Sequence, residues 1–422
     1  MPSRPLRPTF AVRLLAALAL PIAAVAGLPP VPVPAENPIT EPKRVLGKIL
    51  FWDEQLSSDD SVACGTCHRP ASGGADPRVG RHPGTDPGTI DDVLGSPGIR
   101  YLDVDGRPVP HPVFGFEPQV TARAAPSNFG ALWADALFWD GRAGGTVRDP
   151  LTSEIVIERH GALEAQALAT LLNDAEMANQ GRTWSDVTTK LERAAPLALA
   201  TEWPDDVRRA IAAHGSYPAL FEAAFGDPAI TPIRIAFALA TYQRTLVADD
   251  TPWDRYQAGD ANALRERELH GLRAFESLRC TSCHPPPLFT NNEFFNIGLR
   301  RSTYDPGRAG VTHDPEDAGE MKVPSLRNVG RRPRFMHTGQ LASLAEAIGF
   351  YVTSPPSEER DDIPGVGTYS FSMSAVMQRD LLEFLSNALT DPRVAEERFP
   401  FDRPRLRSER VTSGSDAVPA RP

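Results

Sequence analysis

The chain has 422 residues, enough for two or three domains each with its own core. A formal charge of -10, with no basic run long enough to neutralise phosphates, excludes nucleic acid as the natural partner, while 41% hydrophobic residues describe an ordinary globular protein. The 42 prolines, about twice the usual share, predict long irregular connections between helices.

At the start, Arg4, Arg7 and Arg13 precede the mainly apolar run Leu14 to Ala26, which ends in the small-x-small pattern Ala24-Val25-Ala26. The run is short for a bilayer span and contains Pro21, so residues 1–26 read as a cleaved signal peptide that leaves no stable membrane insertion. An uncleaved anchor is the alternative. A Pro-rich linker from Leu28 to Pro38 follows, and Thr40 then caps a short helix whose apolar face is Val45, Leu46, Ile49 and Leu50. This helix leads into Cys64-Gly65-Thr66-Cys67-His68. Cys-x-x-Cys-His is the pattern of c-type haem attachment, in which two cysteines form thioethers to one porphyrin and the histidine ligates its iron. A thioredoxin-like pair or half a zinc site would not require the histidine. Bacterial attachment of this kind is completed outside the cytoplasmic membrane, so the signal peptide and the haem motif together predict a periplasmic protein.

From Arg69 to Pro118 the chain is rich in Gly, Pro and Asp and reads as a long loop, with His82 and His111 as residues that could reach an iron or simply face solvent. Next come Arg123-Ala124-Ala125-Pro126-Ser127, Phe138-Trp139-Asp140-Gly141-Arg142, Leu163-Glu164-Ala165-Gln166-Ala167 and Asn173-Asp174-Ala175-Glu176-Met177. Successive helices are expected from Trp184 to Leu278, among them one started by Thr231-Pro232 with Ile235, Leu239, Tyr242 and Leu246 on one face. The polar stretch Asp249 to Asp260 marks a domain boundary, giving domains 27–250 and 251–409. A helix with Leu269, Leu272, Phe275 and Leu278 facing inward delivers a second haem motif, Cys280-Thr281-Ser282-Cys283-His284. The two motifs use all four cysteines, leaving none for disulfides. Beyond lie Lys322-Val323-Pro324-Ser325-Leu326-Arg327-Asn328, then Phe335-Met336-His337-Thr338-Gly339, and a capping box Ser343-x-x-Glu346 starting a helix to about Tyr351. The last strong helix spans about Ser374 to Leu389, and the polar tail 410–422 is expected to be disordered.

These motifs, in this order, resemble the bacterial di-haem cytochrome c peroxidases, including their MauG branch, from about Asn37 to about Asp391. The resemblance implies an all-α fold of two cytochrome c-like haem domains, peroxidatic first and electron-transferring second, each with long irregular loops. It implies two covalent haems, ligated by His68 and His284, with Trp139 between them as an electron relay. Gln166 and Glu176 would stand above the peroxide-binding iron, Glu154 being the rival carboxylate because of an apparent insertion between Arg142 and Leu163. Tyr351 falls where the family places the sixth ligand of the second haem, methionine in some members and tyrosine in the MauG branch; Met336 competes for that role. Calcium, which the family binds between its domains, is not the expectation here, although backbone carbonyls could still hold it. The family's Asn is Ala124 and its Thr-x-Pro is Arg332-Pro333-Arg334, so a side-chain ligand is lost and backbone carbonyls alone remain. The implied activity is reduction of hydrogen peroxide to water with electrons from a small cytochrome or cupredoxin. The alternatives are a MauG-like oxidation of a protein or organic substrate, and a pure di-haem electron carrier.

Overall fold

A computed structural model describes residues 27–353 and 371–412, apart from 85, 86 and 90. The proposed leader and most of the polar tail lie outside the described residues. Helices carry the architecture, as expected, and there is little sheet. Among the described residues there are five two-stranded antiparallel ribbons, most of them in the loops around the first haem motif. The stretch expected as one long loop is held by Gly80–His82 paired with Val93–Gly95 and by Pro97–Arg100 paired with Pro118–Val120. Their strands are too short, and too rich in Gly and Pro, to show a two-residue hydrophobic period in the sequence.

The helix Glu41–Phe51 begins where expected, with the Thr40 hydroxyl accepting from the Lys43 amide, and buries Val45, Leu46, Ile49 and Leu50. It packs on Pro232–Arg244, whose Thr231 cap and Pro232 fix its start. Gly47 permits this closeness, since a Cβ there would lie 1.9 Å from the Ala238 carbonyl oxygen. Around this pair the helices Ala162–Thr170, Trp184–Arg193, Asp205–His214 and Tyr217–Phe225 complete one apolar core. A second core forms where Glu266–Ser277 meets Ala375–Glu383 and the π-helical turn Phe384–Ala388, with Phe275, Phe289 and Phe384 at its centre.

The two cores do not divide at one point in the sequence. After Asp391 the chain returns to the first: Val394, Phe401 and Leu406 are buried there, Lys48 Nζ pairs with Asp402 at 2.9 Å, and Glu54 accepts from the amides of Arg407 and Ser408. The helix Arg407–Thr412 also extends past the point where the disordered tail was expected to begin. A polar segment with three prolines, Pro392, Pro400 and Pro404, carries little periodicity, so this return is invisible to pattern reading.

Candidate active site

Cys64–Cys67 forms one α-helical turn, and Cys280–Ser282 a 3-10 turn that follows closely on the helix Glu266–Ser277. In the first, His68 Nδ1 lies 3.0 Å from the Gly74 carbonyl oxygen; in the second, His284 Nδ1 lies 3.1 Å from that of Phe289. Each carbonyl is aimed by a residue with left-handed backbone, Gly74 at φ 76° and Phe289 at φ 53°. Gly74 has no room for a side chain, because a Cβ would stand 2.4 Å from Asn128 Oδ1. Each loop is then braced by a serine following a proline. Ser127 Oγ donates to the Gly73 carbonyl at 2.7 Å and Ser325 Oγ to that of Leu288 at 2.6 Å, in each case the residue just before the acceptor of the histidine bond. Donation from Nδ1 leaves the Nε2 lone pair as the metal-binding nitrogen and fixes the ring's orientation. Burial pushes both imidazoles down, His284 to about 4, so each is neutral and able to ligate.

A cavity of about 930 Å³ opens beside His68 and Cys67, and another of about 400 Å³ beside Cys280, Cys283 and His284. Burial pushes the thiols up, Cys64 to about 12 and Cys280 to about 11, which disfavours thiolate nucleophiles or a zinc site. None of the four is in a disulfide. Large cavities, neutral histidines with one nitrogen presented, and protonated thiols in Cys-x-x-Cys spacing together fit a covalently attached haem in each.

Glu176 and Gln166 both line the first cavity, together with Trp139, Asp140 and Arg142. Burial pushes the Glu176 carboxyl up to about 7, against the opposing pull of the Arg142 guanidinium and the Thr170 hydroxyl. Gln166 Nε2 donates to Thr170 Oγ1 at 2.7 Å, so the amide and the carboxyl share one anchoring hydroxyl. Glu154 is placed elsewhere, exposed on the turn between the strands Val147–Arg148 and Ile155–Ile157 and away from both cavities. Of the loop histidines, His82 lines the first cavity, whereas His111 lies outside it with Nδ1 accepting from the Val113 and Phe114 amides.

Trp139 stands at the partition. It lines both cavities, is 6% exposed, and its Nε1 donates to the Ala124 carbonyl at 2.8 Å. Tyr351 and Met336 both line the second cavity, whose other walls include Phe275, Ile297, Leu299 and Leu385. Several lining groups escaped the sequence reading. Gln243 interrupts the apolar face of the helix Pro232–Arg244 and points to the first cavity, a departure from periodicity that could have been noticed. Lys322, held down to about 8 by burial, and Arg300 line both cavities; His337 lies 6.2 Å from the Trp139 ring, centroid to centroid. Those residues come together only through tertiary contacts.

Comparison with known proteins follows the same lines. Residues 41–262 match the family model for di-haem cytochrome c peroxidase. The methylamine utilization protein MauG of Methylorubrum extorquens is 30% identical over 86% of this chain and 82% of its own. Cytochrome c551 peroxidase of Pseudomonas aeruginosa is 27% identical over 92% of this chain and 96% of its own. Among solved structures, a MauG-like protein associated with microbial copper homeostasis superposes with a TM-score of 0.60 at 24% identity, covering 92% of this chain and 98% of that one. This last likeness speaks for the fold alone.

Proposed function

Because this chain belongs to the di-haem cytochrome c peroxidase family of oxidoreductases, we propose that it reduces hydrogen peroxide to water in the cavity above His68, drawing electrons from a small cytochrome or cupredoxin. The observation that carries the proposal is Glu176, a carboxyl with its pKa near neutrality in the cavity that His68 also lines.

Haem attached through Cys64 and Cys67 would supply a redox-active iron that binds peroxide and takes up its oxidising equivalents. The chain's own residues do the rest. At neutral pH Glu176 is populated in both protonation states, so it can take the proton from one peroxide oxygen and return it to the other, which leaves as water. The overall balance is one peroxide, two electrons and two protons to two waters. Gln166, tethered to Thr170, stands beside this carboxyl and can orient the peroxide by its amide. Trp139, lying against both cavities, offers an aromatic route by which electrons pass between them. Attachment through the four cysteines, ligation by Tyr351 and export to the periplasm belong to the same proposal.

A second reading is favoured by Tyr351 in the wall of the second cavity and by the MauG relative. An anionic oxygen donor on the second haem suits oxidising equivalents directed at a protein or organic substrate. Peroxide titration of the purified holoprotein, followed by optical spectroscopy with and without prior reduction, tests the central claim. Rapid reaction of a high-spin ferric haem is expected. Two low-spin haems inert to peroxide in either state would establish an electron carrier instead.

A further inference from the structure

Buried arginines in this protein are paired with carboxylates. Arg244 meets Glu164 at 2.6 Å, Arg327 meets Asp254 at 2.6 Å, and Arg44 meets both Glu41 and Asp206. Among the most deeply buried arginines Arg332 is the exception; the half-buried Arg182 and Arg300 also lack a carboxylate but meet backbone carbonyls. Arg332 is 8% exposed, no carboxylate among the described residues pairs with it, its Nε has no hydrogen-bond partner, and its Nη2 reaches only the Ala125 carbonyl at 3.4 Å. Taking a guanidinium out of water without an anion costs several kcal/mol, so an uncompensated one this deep implies a counter-charge from a group that fills the site.

Its position says which group. Arg332 lines the second cavity, and its Cγ lies 3.2 Å from where a Cβ would stand on Gly73, in the loop whose Gly74 carbonyl fixes His68. It therefore sits between the two candidate haem sites. The resident that Cys280, Cys283 and His284 in the same wall imply, a porphyrin, brings two propionates of its own.

The same place is unsuited to a calcium ion. Calcium needs six to eight oxygen ligands. Here the Ala124 carbonyl already accepts from Trp139 Nε1 and that of Ala125 from Arg332, and no acidic cluster that could hold a metal occurs among the described residues. A fixed guanidinium beside these carbonyls would also repel a divalent cation. We infer that Arg332 is a resident cation between the two haem sites, receiving a haem propionate and taking the place of a bound metal ion. The inference rests on the di-haem reading and adds to it a metal-independent way of holding positive charge at the junction.

A unit charge within about 10 Å, in surroundings of effective dielectric about 20, changes an equilibrium constant by roughly tenfold. Spectroelectrochemical titration of the holoprotein should thus show at least one haem couple in Arg332→Gln shifted toward the oxidised form by about tenfold, which is about 59 mV for one electron. Arg332→Lys, which keeps the charge, should shift less than threefold. Elemental analysis of the wild-type holoprotein should find less than one calcium per ten chains, and a chelator should change neither its spectrum nor its melting temperature. Stoichiometric calcium, a chelator-sensitive spectrum, or a Gln variant whose two couples both stay within twofold of wild type would overturn the inference. If the Gln variant does not fold, the Lys variant and the wild-type metal content still decide it: a Lys variant shifted tenfold, or bound calcium, overturns it. Fewer than two haems per wild-type chain by mass would count against the di-haem reading itself.

Discussion

The two candidate haem sites share a histidine side and, apart from the wall of Trp139, Arg300 and Lys322 common to both, differ in what faces the cavity. On the histidine side they are near copies: a helical Cys-x-x-Cys-His turn, a carbonyl from a left-handed residue, and a serine after proline bracing that carbonyl's neighbour. On the open side the first is larger and holds Glu176, Gln166, Asp140 and Arg142, while the second is smaller, with Phe275, Ile297, Leu299 and Leu385 around Tyr351 and Met336. One proximal design therefore serves two environments. A polar cavity with a near-neutral carboxyl suits proton transfer to a small polar substrate, whereas an apolar one suits a group that changes charge without exchanging protons with water.

Removing one motif at a time should separate the two sites most sharply. Cys280→Ser with Cys283→Ser should cost one covalent haem by mass spectrometry of the denatured protein and abolish turnover, while the first haem remains attached; loss of both haems would show that the sites do not assemble independently. Next in size is Glu176→Gln, expected to slow peroxide turnover about 100-fold with both haem spectra nearly unchanged. In the wild type, kcat/KM for peroxide should rise with pH through about 7, the value to which burial pushes this carboxyl, and the variant should lose that limb. The same shift has a stability signature. A carboxyl raised from 4.5 to about 7 by the fold favours the native state below pH 4.5 and loses that advantage as pH rises through 7. Glu176→Gln should therefore gain about 1–3 kcal/mol on the wild type across that window, read by denaturant titration at pH 4 and pH 8.

In the second site, Tyr351→Met should raise that haem's reduction potential by on the order of 100 mV, because a neutral thioether favours Fe(II) where a phenolate favours Fe(III). An unchanged potential would hand the ligand role to another residue, Met336 first. The smallest effect is expected at His82. If the first iron is open in the diferric protein, His82→Ala should alter the rate of direct reaction with peroxide by less than twofold in stopped-flow mixing. A wild type silent until reduced, and a variant that reacts at once, would make His82 a displaceable sixth ligand.

How much of this was legible beforehand differs by the kind of signal. Thr40, Thr231 and the faces they start could be read because caps and 3.6-residue periodicity are local, and the haem motifs because their chemistry needs contiguous residues. Gln166 and Glu176 were legible only through resemblance to a family, and the structure places both in the wall beside His68. The internal parallel between Pro126-Ser127 and Pro324-Ser325 was in plain view but has no meaning until the loops they brace are seen. The ribbons between Gly80 and Val120, the charge buried at Arg332 and the junction of Trp139 with His337 depend on partners distant in sequence. No window of residues carries them.

The return of the last segment to the first core has a consequence for how the protein matures. Arg69, next to His68 of the first motif, is paired with Glu409, and Glu54 is satisfied by amides at Arg407 and Ser408. A chain made from its N-terminus presents Cys64 and Cys67 early, yet the clasp behind them, at Arg407 to Glu409, is made more than 300 residues later. The first Cys-x-x-Cys-His motif is thus made well before the segment that packs behind it. If haem is attached there, that order leaves an interval in which the thiols stay reachable before the segment around Glu409 packs behind them.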